Sequence, residues 1–321
     1  MRSQSDSLPP GTQLHFFKSP RAWLYALWKF SRPHTIIGTS LSVWGLFAIA
    51  WATAPTLNLA TLLPVPLWAW AACLLGNVYI VGLNQIEDVA IDRINKPHLP
   101  LASGEFSRRQ AVGIVAFCGA LAIAIALSQG AFLLATVGIS LLIGTAYSLP
   151  PIRLKRFPFW ASFCILSVRG AVVNLGLYLH YSDRLGLPLG VPARVWALTL
   201  FILVFSFAIA IFKDIPDIEG DRRYNITTFT VQLGQKAVFN LARWVLTLCY
   251  GGLIVAGPFL AEVNGWFISV THLAAIALFW LLSLRVAWQG RTEGISYPAF
   301  YQFIWKLFFI EYVLFPLACW L

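Results

Sequence analysis

Charge is scarce in this sequence: 11% of its 321 residues are Asp, Glu, Lys or Arg, while 59% are hydrophobic. A soluble globular domain carries about twice that share of charge, which excludes a soluble fold. Cysteine is also scarce. Cys73, Cys118, Cys164, Cys249 and Cys319 stand singly in apolar runs, without the spacing of a zinc or dithiol site. They read as small buried hydrophobes. Residues 1–20 are polar, carry Pro-Pro-Gly at 9–11, and lack the apolar core of a secretory signal.

What fills the sequence instead is a series of apolar runs, each bounded by Pro, Gly or charge. Nine of them approach the roughly 20 residues needed to cross a bilayer: 36–54, 63–83, 111–127, 131–149, 159–181, 195–212, 238–260, 266–284 and 300–321. The third and sixth are short, so they are less tilted or extended by flanking residues. The runs predict an all-α membrane protein of nine transmembrane helices, with one membrane domain over 31–321 and no soluble module. Residues 1–30 form a polar leader ending in an amphipathic interfacial helix. Trp23, Leu24, Ala26, Leu27 and Phe30, with Arg21 and Lys29, define that helix.

The net charge of +10 raises the question of nucleic acid. Its distribution answers it. The N-terminal segment and the connections after runs 2, 4, 6 and 8 hold 18 Lys and Arg, whereas the opposite connections hold Arg184 and Arg194. That asymmetry is the positive-inside pattern, so the N-terminus and those four connections are expected on the cytoplasmic side of the lipid bilayer. No nucleic-acid partner is needed.

Seven of the 13 acids fall in two short windows. The first, at the end of run 2, reads Asn84-Gln85-Ile86-Glu87-Asp88-Val89-Ala90-Ile91-Asp92. The second, after run 6, reads Lys213-Asp214-Ile215-Pro216-Asp217-Ile218-Glu219-Gly220-Asp221. On a continued helix Asn84, Asp88 and Asp92 share one face, as do Asp214, Asp217 and Asp221, although Pro216 is placed to break the second helix. Clustered carboxylates repel one another and desolvate at a cost beside a bilayer, and a divalent cation relieves both penalties. Magnesium suits hard oxygen ligands shared with substrate phosphates, while the absence of His and Cys in both windows weighs against zinc.

A cationic element follows run 4: Tyr147-Ser148-Leu149-Pro150-Pro151-Ile152-Arg153-Leu154-Lys155-Arg156. Beside two acidic windows it is a candidate diphosphate clamp, and also a plain topology signal. Arg32, just before run 1, is a further candidate of the same kind. Arg169 and Glu311 lie inside runs 5 and 9, each roughly 16 Å along its helix. One reading pairs them with each other in the membrane. The other gives Arg169 to an acidic substrate, with Asn174 nearby on the same run.

Two acidic windows after runs 2 and 6, nine spans and the Tyr-Ser-x-Pro-Pro-x-Arg-x-Lys segment resemble the UbiA superfamily of intramembrane prenyltransferases. The resemblance covers the chain beyond residue 30 and implies a helical bundle with a central cavity. It implies Mg2+ bridging the windows to a prenyl diphosphate, with Asn84, Asp88, Asp92, Asp214, Asp217 and Asp221 as metal ligands. The five aspartates would be the catalytic set, and Tyr147, Arg153, Lys155, Lys213 and Arg32 would attend the diphosphate. The string from Asn84 to Gly104, with Val231-Gln232-Leu233-Gly234-Gln235-Lys236 and residues 31–39, is similar to the homogentisate prenyltransferases of tocopherol and plastoquinone synthesis, above all those that transfer phytyl. Phytyl diphosphate and homogentisate are then the expected substrates, with decarboxylation, and Arg169 a candidate for the acceptor. Gln85 departs from the wider family, where Asp is common, and leaves open whether Glu87 turns inward.

Solanesyl- or geranylgeranyl-transferring relatives and chlorophyll synthase are the alternatives within the superfamily. A transporter is the alternative outside it, although its charges would sit at the midplane and not at the membrane surface. The leader has no extended Ser- and Arg-rich transit stretch, which points to a cyanobacterial thylakoid or plasma membrane over a plastid-targeted protein.

Overall fold

The computed structural model describes residues 13–54, 56, 58–224, 226–286 and 294–321; residues 1–12 of the polar leader lie outside them. Nine helices among the described residues are long and apolar enough to cross a bilayer. They are span 1 (Pro33–Ala52), span 2 (Leu59–Glu87), span 3 (Arg108–Gln129), span 4 (Ala131–Ser148) and span 5 (Pro158–Arg184), then span 6 (Ala193–Phe212), span 7 (Gln235–Phe259), span 8 (Gly265–Ser283) and span 9 (Tyr297–Trp320). These are the nine expected from the apolar runs. Flanking residues lengthen the two short ones, to 22 residues for span 3 and 20 for span 6.

Local chemistry sets the helix starts. Pro33 and Pro158 open spans 1 and 5, where a missing N–H costs nothing. Ser107 and Gln110 cap span 3 reciprocally, and Asn264 and Ser296 cap spans 8 and 9 through their side-chain oxygens. Each span packs on the next, and span 9 returns to span 1, so the bundle closes into a ring. Span 6 is apolar on every side and is the most buried of the nine.

A second, smaller apolar cluster lies at one end of the bundle. Helix Pro20–Phe30 buries Ala26 and Phe30 there against Leu83, Ile86, Phe106 and Val115, and leaves Leu24, Tyr25 and Trp28 exposed. Gly82 makes this possible, because a Cβ at that position would stand 2.7 Å from the Phe30 ring. Gln85 is fully buried and donates to the Phe30 carbonyl at 2.7 Å, which ties span 2 to the interfacial helix. The connections after spans 2, 4 and 6 meet at this same end, through Arg153 on Asp88 and Lys96 on Asp217.

Candidate active site

A cavity of about 980 Å³ opens between these connections and runs into the bundle. Asn84, Asp88, Asp92, Asp214, Asp217 and Asp221 all line it, with Arg32, Tyr147, Lys155, Lys213 and Arg169. Neither acidic window is one continuous helix. Span 2 ends at Glu87, Asp88 has non-helical backbone, and a new helix runs over Val89–Asn95. The backbone bonds from Asp88 to Asn84 and from Asp92 to Asp88 persist, so the three residues still follow one face. The second window departs further. Residues 213–217 form turns around Pro216, and helix begins only at Ile218–Arg223. Proline lacks the N–H that the helix would need, so the single face expected for Asp214, Asp217 and Asp221 is replaced by a bend that still turns all three to the cavity.

The acids are interleaved with cations. Asp88 accepts from Arg153 at 3.1 Å and lies 2.5 Å from Lys155, with Asn84 donating to its other oxygen at 3.0 Å. Asp217 pairs with Lys96, and Asp214 with Lys213 at 2.7 Å. Lys213 also faces Tyr147. The expected clamp is split: Lys155 lines the cavity, whereas Arg153 holds Asp88 from outside the wall. Arg32 and Arg153 both have left-handed backbone, with φ of 53° and 39°. That conformation costs a residue with a Cβ about 1–3 kcal/mol and clusters at functional sites.

Asp92 and Asp221 are less fully neutralised. Arg32 is 4.0 Å from Asp92 Oδ2, an oxygen that is buried without a hydrogen-bond partner. Burial raises the Asp92 carboxyl to about 6. Burial, with Asp214 adding to it, raises Asp221 to about 7. Hard carboxylate oxygens on one cavity, with Asp92 Oδ2 orphaned, suit a magnesium ion. Among the described residues no three His, Cys, Asp or Glu gather tightly enough to hold a metal by themselves. The donor set therefore suits an ion that completes its shell with ligand oxygens.

Glu87 does not turn inward; it pairs with Arg108 at 3.5 Å, off the cavity. Two residues with no assigned role in the sequence reading bridge the windows. Asn95 donates to the Asp217 carbonyl and accepts from Gly220 N–H, both at 3.0 Å, and Lys96 adds its ion pair with Asp217. Gly220 is required by that approach, since a Cβ there would collide with the Asn95 carboxamide. The sequence signal was an Asn-Lys pair one turn beyond Asp92.

Inside the membrane the Arg169–Glu311 pair is not formed. Glu311 Oε2 lies 3.0 Å from His272 Nε2, both side chains being fully buried. His272 stands two turns inside span 8. Arg169 instead lies over the rings of Trp305 and Phe308, at 4.6 and 5.1 Å, and faces the cavity. Among the described residues it makes no ion pair and no hydrogen bond.

A ring of nine spans, with carboxylates and cations at the mouth of an intramembrane cavity, defines a class of membrane transferase. The sequence profile of the UbiA prenyltransferase family matches residues 40–307, and the chain belongs to that family. It is 54% identical over 302 residues to a homogentisate phytyltransferase of Synechocystis sp., covering 94% of this chain and 97% of that one. It is 40% identical to the chloroplastic homogentisate phytyltransferase 1 of Arabidopsis thaliana, across 93% of this chain and 76% of that one. The fold is shared with a UbiA homolog from Archaeoglobus fulgidus bound to GPP and Mg2+, at a TM-score of 0.67 and 18% identity, over 92% and 98% of the two chains.

Proposed function

We propose that this enzyme transfers phytyl from phytyl diphosphate to homogentisate, with loss of carbon dioxide, as a step toward tocopherol. The observation that carries the reading is the convergence of both acidic windows and Lys155 on one cavity, with an unpaired arginine deeper inside. The likeness to homogentisate phytyltransferases supports the choice of donor and acceptor.

Asp88, Asp92, Asp214, Asp217 and Asp221, with Asn84, hold Mg2+ together with the diphosphate. The bound ion supplies charge neutralisation at the leaving oxygens. Lys155, Lys213 and Arg32 bind the same diphosphate, Tyr147 orients Lys213, and Arg153 acts by holding Asp88. Their charge stabilises the diphosphate as the allylic carbon–oxygen bond breaks. The closed bundle keeps water from the resulting allylic cation, and cavity aromatics such as Tyr301 and Trp305 face it. Arg169 receives the homogentisate carboxylate. The phenol ring attacks the allylic carbon, carbon dioxide leaves, and proton uptake and loss restore the aromatic quinol. The positive-inside asymmetry of the connections supports a cytoplasmic mouth for the cavity.

The test is turnover in proteoliposomes with labelled phytyl diphosphate, Mg2+ and homogentisate. Diphosphate, carbon dioxide and a prenylated methylquinol should appear together, and chlorophyllide should not be prenylated. Preference for solanesyl or geranylgeranyl diphosphate would reassign the donor. Absence of diphosphate release with every donor would overturn the enzymatic reading.

A further inference from the structure

Span 5 is not a uniform α-helix. Residues Ser167–Val172 form a π-helical turn, and Arg169 stands in the middle of it. Such turns are rare, and they shift the side chains they carry relative to the rest of the helix. This one is held by a buried polar chain that the chemistry of the cavity mouth does not use. Asn174 donates from Nδ2 to the Gly170 carbonyl at 2.9 Å. Tyr312, on span 9, donates its hydroxyl to Asn174 Oδ1 at 2.7 Å. Asn174 is fully buried and Tyr312 nearly so, and neither lines the cavity. Behind the turn, Gly170 lets span 6 approach so closely that a Cβ would meet Leu203 Cα at 2.6 Å.

The same span 9 carries the two rings on which Arg169 rests. Trp305 and Phe308 support the guanidinium from one side, and the π-turn fixes its root from the other. Glu311, the neighbour of Tyr312, is occupied by His272 and is not spent on neutralising Arg169. A cation at this depth with no acidic partner is costly unless a ligand brings the anion.

We infer that Asn174 and Tyr312 are positioning residues for the acceptor: they fix the π-turn that presents Arg169 to the cavity, and so set selectivity for acceptors bearing a carboxylate. The inference rests on the reading of Arg169 as the acceptor's cation. Tyr312 contributes a single hydroxyl to this chain, and its ring packs on Phe308 whether or not the hydroxyl is present. Losing the hydroxyl frees Asn174 to drop the Gly170 carbonyl, and the arginine loses its fixed root.

The experiment is steady-state kinetics on the purified full chain in proteoliposomes, for Tyr312→Phe, Asn174→Ala and Arg169→Leu. Three constants are read: KM for homogentisate, KM for phytyl diphosphate, and Ki for methylhydroquinone, an acceptor-like ring with no carboxylate. Tyr312→Phe and Asn174→Ala should raise the homogentisate KM about tenfold, as expected when a buried hydrogen bond that orients a binding group is lost. The donor KM, the methylhydroquinone Ki and the thermal midpoint of Tyr312→Phe should stay at the parent values. Arg169→Leu/Tyr312→Phe should be no worse than Arg169→Leu alone, because the hydroxyl acts only through the arginine. Additive losses in that double variant, or parallel rises in all three constants, would mean a merely structural role and overturn the inference. If Arg169→Leu raises the homogentisate KM and Tyr312→Phe and Asn174→Ala do not, the positioning claim fails and the acceptor reading stands. If Arg169→Leu itself leaves that KM unchanged, the acceptor reading fails.

Discussion

The two acidic windows look alike in sequence and are built differently. In the first, Asn84, Asp88 and Asp92 follow a nearly continuous helical face, and Asp88 is gripped by two cations from the connection after span 4. In the second, Pro216 forces a bend, and Asp214 and Asp217 are neutralised by Lys213 and Lys96, one local and one borrowed from just beyond the first window. The first window is a ledge at the end of span 2, continued onto helix Val89–Asn95. The second is a folded strap tied down by Asn95 and Lys96, just beyond the first window. A repeated motif therefore need not repeat a geometry; what is shared is the cavity both halves face.

The largest expected effect comes from removing one anchor in each window. Asp88→Ala and Asp214→Ala should each cut turnover by about 100-fold or more, because each removes a carboxylate from the charge-stabilising cluster at the breaking bond. Both variants should remain folded in detergent, as judged by gel filtration. Asp183→Ala, exposed at the far end of span 5, is the control and should retain parental turnover. Near-normal rates in both window variants would remove the comparison altogether.

How much of this could be read beforehand follows a physical divide. Spans are local properties of hydropathy, so all nine were legible, including the extension of spans 3 and 6 by flanking residues; the largest boundary difference is in span 2, which runs over Leu59–Glu87 where 63–83 was expected. The shared face of Asn84, Asp88 and Asp92 was legible too, as was the threat from Pro216, whereas the single helical face expected of Asp214, Asp217 and Asp221 did not form. Contacts across the bundle were not. Nothing in the order of residues says that Glu311 faces His272 and not Arg169, since both lie at comparable depth on other spans. The π-turn under Arg169 has no compositional signature in Ser167–Val172. Lys96 and Asn95 stood in plain view next to the first window, but their partners are more than a hundred positions away.

The link between ledge and strap is the next point to break. Asn95→Ala removes two hydrogen bonds that hold helix Ile218–Arg223 against helix Val89–Asn95, and should lower turnover about tenfold while raising the Mg2+ concentration needed for half-maximal rate. Gly220→Ala should do the same by crowding, because its new methyl would collide with Asn95. The two are not independent. Truncating Asn95 empties the space that the methyl of Gly220→Ala would need, so the double variant should be no worse than Asn95→Ala. Additive losses would show that the helices are not clamped at this point.

A smaller effect separates the windows by pH. Burial holds Asp92 at about 6 and Asp221 at about 7 in the folded protein, above the ordinary carboxylate value. The folded chain then binds more protons than the unfolded one between that ordinary value and about pH 7, so metal-free stability should fall as pH rises through this window. Mg2+ competes with those protons, and its stabilisation should grow over the same range. Thermal midpoints measured from about pH 5 to about pH 8, with and without Mg2+, check both slopes. Asp221→Asn should flatten the upper part of the curve and Asp92→Asn the lower part. An unchanged slope in Asp221→Asn would mean that the second window is not the more strongly perturbed half.

The smallest expected effect concerns the two acids that belong to the windows by sequence alone. Glu87 sits between Gln85 and Asp88 yet turns outward to Arg108, whose side chain is 68% exposed. An ion pair open to water in this way contributes about 0–1 kcal/mol, so its loss should hardly register in stability. Glu219 is exposed on the short helix after Asp217, and neither residue lines the cavity. Glu87→Gln and Glu219→Gln should therefore keep kcat and the donor KM within about twofold of the parent, the scale of scatter for surface changes away from a site. The contrast with Asp88→Ala is the informative quantity, because Glu87 and Asp88 are adjacent in the chain and carry the same charge. If net negative charge at the cavity mouth were all that mattered, removing either would weaken Mg2+ to a similar degree. If direction matters, only Asp88 will, and a loss in Glu87→Gln comparable to that in Asp88→Ala would reject the ledge geometry of the first window.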